Sequence, residues 1–182
     1  LDEAIQGLRI KISGCFNSCG QHHIADIGFY SVSRNIGSYK VPHFQVVLGG
    51  QWDQNAGAYG LAMGAVPAKN IPDVLDRIVE YWMTHREGAE RFQAFARRVG
   101  KRAFRQLFDD LTRIPSYEDG PAYYSDWGDP RVFTISDMGI GECAGEVISS
   151  TDLELTMAES IAFDAQVALE EGISAGLELG EQ

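Results

Sequence analysis

Residues 8–32 read LRIKISGCFNSCGQHHIADIGFYSV. The first six alternate apolar and polar side chains, which predicts a strand over 8–13. The next seven, GCFNSCG, begin and end in glycine, which predicts a turn or one short helical turn after that strand. A second strand is predicted over 24–32, and a third over 43–49 (HFQVVLG). The intervening SRNIGSYKVP is rich in turn residues, so the pair is expected to form an antiparallel hairpin with a long loop. Gly49 and Gly50 then open a glycine-rich loop, GGQWDQNAGAYG, where backbone can approach a ligand closely.

Helices follow. Asn70 is a candidate N-cap, Pro72 falls in the first turn, and Asp73 is an acid where the helix dipole favours one. Ile71, Val74, Leu75, Ile78, Val79 and Trp82 share one face at helical spacing. Gly88 separates this helix from a second with Phe92, Phe95 and Val99. Gly100 separates that one from a third with Phe104, Leu107, Phe108 and Leu111. Residues 113–130 form a loop rich in proline, glycine and aromatics, followed by a short predicted strand over 132–135. A last helix is expected from Thr151, where TDLE has the form of a capping box. Its stripe of Leu153, Met157, Ile161, Ala165 and Leu169 is read as packing.

The chain has 182 residues, 45% of them apolar and 23% charged, an ordinary globular balance. No apolar run reaches the roughly 20 residues of a membrane span, and the start does not resemble a signal peptide. A cytoplasmic protein with no membrane contact is therefore expected. The chain begins with Leu1, and it is read as a possible fragment. The net charge of −11 is unevenly placed: residues 132–182 hold 11 of the 26 acids and no Lys or Arg. An acidic end repels phosphate backbones, so no nucleic-acid partner is expected. The basic residues Arg91, Arg97, Arg98, Lys101, Arg102 and Arg105 cluster on two short helices. They are read as a solvated face paired with local acids, in preference to a docking patch for an acidic electron donor.

Three cysteines are too few, and odd in number, for a secreted disulfide scaffold. Cys15 and Cys19 stand one helical turn apart, which can bring their side chains to within about 6 Å. Two thiolates so placed suit a soft metal centre, either zinc or an iron–sulfur cluster. For zinc, His22 and His23 are candidate further ligands, although they follow Cys19 too closely for the usual second loop. For a cluster, two more ligands must come from elsewhere. Cys143 is read as a small buried apolar residue.

The surroundings of the cysteines are more specific than their spacing. ISGCFNSCGQHHIADIGF, then FQVVLGG, then VPAKNIPDVLDRIVEYW, then RFQAFARRVGKRAF resembles the C-terminal half of the siroheme-dependent nitrite and sulfite reductases. The resemblance covers about residues 8 to 112 and is looser beyond. It implies a four-iron four-sulfur cluster held by two cysteine pairs, of which Cys15 and Cys19 form the second. Cys19 is then the thiolate shared with the siroheme iron. Gly14 and Gly20 let backbone fit beside the cofactors, Asn17 and Ser18 offer hydrogen bonds near cluster sulfurs, and Lys69, Lys40 and Arg34 lie where siroheme carboxylates can be met. The implied reaction is reduction of sulfite to sulfide or nitrite to ammonia, with ferredoxin or a flavoprotein as donor. Phe16 stands where the family usually has proline, and Gln21 where many sulfite reductases have arginine. The first cysteine pair and the basic residues that grip the anion lie upstream in the family.

The expected architecture is α+β: an antiparallel sheet carrying the cysteine turn at one end, packed by helices, with an acidic C-terminal helix. Residues 1–112 are expected to form a partial reductase domain and 113–182 a loop and helical extension. The isolated chain is expected to be inactive. The alternative is a non-catalytic partner-binding domain whose cysteines are vestigial or hold zinc.

Overall fold

The computed structural model describes residues 2–53, 57–134 and 137. The expected C-terminal helix and Cys143 lie outside the described residues. The chain divides into two units, Leu1–Ile135 and Ser136–Gln182, and the description below concerns the first.

Four strands form one sheet in the order β1 (Ile10–Ser13), β2 (Ile27–Ile36), β3 (Tyr39–Leu48), β4 (Leu61–Pro67). The α+β class is as expected. The sheet is mixed, however, because β1 joins β2 in parallel while β2–β3 and β3–β4 are antiparallel. The hairpin is also tighter than the composition suggests. Pairing runs without interruption from Ile27 opposite Leu48 to Ile36 opposite Tyr39, leaving only Gly37 and Ser38 as the loop. Gly37 has φ +59, the sign that a glycine-first two-residue hairpin turn requires. The strand β4 has no counterpart in the sequence reading. The segment LAMGAVP is short and small-residued, and it becomes a strand because β3 offers it a partner edge.

One face of the sheet is closed by helices. Besides the short α1 (Glu3–Gln6), α2 spans Ile71–His85 and α3 spans Phe92–Leu107. The apolar spacing read in 71–82 is realised, with Val74, Ile78 and Trp82 buried. They meet Ile27, Phe29, Val46, Leu48, Met63 and Val66 from the sheet and Phe92, Phe95, Phe104 and Phe108 from α3 and its end. Full burial of each such side chain stabilises by about 1.5–3 kcal/mol. The expected break at Gly100 is present as a kink, with φ 80 and ψ 163. Phe95 on one side of it meets Phe104 on the other edge-to-face, with centroids 5.9 Å apart.

Asn70 occupies the N-cap position but makes no capping bond. Its amide nitrogen donates to Leu111 O at 2.8 Å and its carbonyl oxygen accepts from the Tyr123 hydroxyl at 3.0 Å. The cap is given up because the side chain ties two loops to the helix start. The aromatic loop 113–130 is fastened to the sheet in the same way. Tyr117 stacks on Tyr39 of β3 at 4.5 Å, and the buried Tyr124 donates to Pro115 O at 2.9 Å. Of the strand expected over 132–135, the described residues 132–134 show a single bridge, between Ser125 and Val132.

Candidate metal centre

The parallel pairing of β1 and β2 dictates the form of the cysteine loop. Parallel neighbours require the chain to travel back along the whole strand before pairing again. Residues 14–26 make that return with one 3-10 turn, His22–Ile24, and no longer helix. The loop therefore lies folded against the sheet it serves. At Gly28 the approach is so close that a Cβ would fall 2.0 Å from the His22 carbonyl oxygen, so no larger residue fits there.

Cys15 is half-buried and Cys19 exposed, and both are free thiols. Phe16 and Ile12, 66% and 57% exposed, stand on the loop and on the strand that feeds it. Gly14 is exposed, with open space around its α-carbon. Gly20 packs on the backbone of Ile12, and its N–H donates to Ser13 Oγ at 3.2 Å. Asn17 is exposed.

The two histidines are engaged in the protein. His22 is 4% exposed and shares a hydrogen bond with Ser13 Oγ at 2.9 Å through Nδ1. Burial, and then the neighbouring His23, push its pKa below the ordinary value. His23 pairs through Nδ1 with Ser18 Oγ, so the Ser18 hydroxyl points to this ring and serves the loop itself. Among the described residues no three His, Cys, Asp or Glu converge on a common metal position. The donor set fits half of a four-thiolate cluster site: two soft, reachable thiols on one short loop.

Lys69 lies in the 3-10 turn Ala68–Asn70 that follows β4. Its ammonium donates to Asp126 O at 2.9 Å and lies 4.8 Å above the Trp127 ring. The basic cluster is partly paired, as read: Arg98 binds Glu90 at 2.6 Å and Glu87 at 3.4 Å, and Arg91 reaches Asp53 at 3.3 Å. What the sequence did not disclose is the role of Ser13. A serine ending a strand carries no signal of its own, and only the return of the loop brings Gly20 and His22 onto its hydroxyl.

A mixed sheet backed by two helices, with paired thiols on a crossover loop, has the form of a metal-binding α+β domain. Residues 7–114 match the family model described as the nitrite and sulphite reductase 4Fe-4S domain, and the chain belongs to that family. It is 39% identical over 88 residues to a protein of Mycobacterium tuberculosis named sulfite reductase [ferredoxin], covering 47% of this chain and 16% of that one. It is 34% identical over 90 residues to the ferredoxin–nitrite reductase of Synechococcus elongatus, covering 50% and 16%. Among solved structures, that of the Mycobacterium tuberculosis NirA protein aligns with a TM-score of 0.48 at 34% identity, covering 54% of this chain and 18% of that one. The chain thus spans about one sixth of the length of the curated relatives it matches.

Proposed function

We propose that this chain is the cluster-bearing part of an assimilatory, siroheme-dependent sulfite or nitrite reductase, working in the cytoplasm with ferredoxin or a flavoprotein as donor. The observation that supports it most directly is the pair of free thiols on the crossover loop, lying within the segment that matches the family. When bound, the cluster and siroheme supply the electrons and the anion-binding iron for six-electron reduction of sulfite to sulfide or nitrite to ammonia.

The residues of this chain hold and orient. Cys15 and Cys19 would hold the cluster, and Cys19, the more exposed of the two thiols, would also serve the siroheme. Gly14, with open space where a side chain would stand, would leave room for a cofactor beside the loop, and Gly20 lets the loop press onto Ile12 at the end of β1. Asn17, exposed on the same loop, would stand near the cluster sulfurs. Lys69 has three donors, of which Asp126 O takes one, so its ammonium retains capacity for a siroheme carboxylate. The remaining two cluster ligands and the anion-gripping cations come from other polypeptide, so residues 1–182 alone are inactive.

The test is anaerobic purification of the full-length gene product, with iron and acid-labile sulfide assayed beside the visible spectrum. Reduced viologen then supplies electrons while sulfite and nitrite are followed separately. Iron, sulfide and about six electrons consumed per anion are expected. A colourless, iron-free product, or one that holds only zinc, sinks the proposal.

A further inference from the structure

Two hydrogen-bonded clips close the cysteine loop, and neither uses a thiol. In the first, the buried Ser13 Oγ accepts from Gly20 N–H at 3.2 Å and meets His22 Nδ1 at 2.9 Å. In the second, Ser18 Oγ pairs with His23 Nδ1. Both clips bracket Cys19, whose chain neighbours are Ser18 and Gly20.

The backbone between the clips is in an uncommon state. Ser18 has φ +61 and Gln21 φ +62, the only non-glycine residues with positive φ among those described. L residues reach that region at a cost, and persist there when surrounding contacts hold them. Gln21 N–H donates to Ser18 O at 2.7 Å and closes the turn. A change of backbone state at Ser18 swings the very next residue, Cys19.

Both rings are held from outside the loop. His22 packs on Tyr30 of β2 with centroids 4.7 Å apart. The His23 ring meets Tyr59 edge-on at 4.8 Å, and its carbonyl oxygen accepts from Gly60 N–H at 2.8 Å. The histidines are thus anchored in the fold, and the loop is tied to the histidines.

We infer that His23, seconded by His22, is a positioning residue for the cysteine pair: it locks the left-handed bend at Ser18, so that Cys15 and Cys19 are presented in one arrangement before any metal arrives. The consequence for iron rests on the reductase reading above, whereas the ordering of the loop does not.

The experiment has two arms on the full-length protein. Amide hydrogen exchange is read at Gly20 and Gln21 in the iron-free form, and the rate of iron loss to a chelator is read in the loaded form. His23→Ala is expected to speed exchange at both amides by about three- to tenfold, the range set by loss of one hydrogen bond. Iron release should accelerate by a similar factor. His23→Asn, whose side-chain amide can stand in for Nδ1, restores both rates. In a Ser18→Gly background, glycine takes the positive φ unaided, and His23→Ala then adds little. Wild-type exchange rates in His23→Ala, or equally fast exchange in His23→Asn and His23→Ala, overturn the inference. If the wild type binds no iron the reductase reading fails, and the exchange arm still decides the clip.

Discussion

At the scale of single residues, the site is legible as chemistry and hidden as geometry. Gly28 is the clearest case. Its α-hydrogen faces the His22 carbonyl oxygen, and an added methyl group would stand 2.0 Å away. Gly28→Ala must move the crossover loop off β2, at a cost in the range of overpacked cores, about 1–3 kcal/mol. Urea unfolding of the variant reads that loss, and unchanged stability would mean the loop yields freely. Cys15→Ser and Cys19→Ser should each lose the iron of the full-length protein while leaving its unfolding midpoint in the iron-free form within about 0.5 kcal/mol of wild type, since neither thiol is fully buried. Iron retained in full by either variant would remove that residue from the ligand set. The motif announced these two cysteines through spacing and flanking glycines. It did not announce Ser13, because a hydroxyl becomes a clip only when its partners are brought to it.

At the scale of elements, helices were easier to foresee than strands. The face running from Ile71 to Trp82 repeats every three to four residues, and burial followed it. The Gly100 break was likewise visible, and its dihedrals show why: φ 80 with ψ 163 is territory open to glycine and almost closed to other residues. Gly100→Ala is expected to destabilise by about 1–3 kcal/mol, measured by chemical denaturation. Phe104→Ala, which empties the centre of the aromatic cluster spanning that kink, should cost about 3–5 kcal/mol by the same measurement. A loss below about 1 kcal/mol in Phe104→Ala would show that the two halves of α3 do not depend on their mutual packing. The strands were misjudged at both ends of the hairpin. Residues 33–42 are turn-like in composition, yet all but Gly37 and Ser38 have a cross-strand partner, and ladder hydrogen bonds outweigh weak β-propensity.

At the scale of the whole molecule, two buried histidines link stability to pH. His43 is 2% exposed, and its Nδ1–H donates to Val41 O at 2.9 Å. Burial pushes its pKa down, the bond to Val41 opposes this, and Arg34 adds to the lowering. His22 shifts in the same direction. The unfolded chain therefore takes up protons near the ordinary value of 6.5 while the folded chain does not. Unfolding free energy is then highest above that pH and falls as pH drops below it, through the window down to the depressed folded values. Denaturation midpoints at pH 7.5, 6.5 and 5.5 should decline in that order. His43→Asn, which keeps a donor for Val41, should flatten part of the slope; an unaltered slope would assign the effect to other groups.

Local pattern was enough to establish the α+β class, the helix face, the segregation of acid toward the C-terminal end and the presence of two cysteines on one short loop. Those properties depend on neighbours within a few residues, which is the range over which periodicity and propensity act. The mixed sheet, β4, the two-residue hairpin and the histidine clips were settled only in three dimensions. Each depends on which distant backbone edge or hydroxyl arrives beside it, and the parallel seating of β1 on β2 is what folds the cysteine loop back over the sheet.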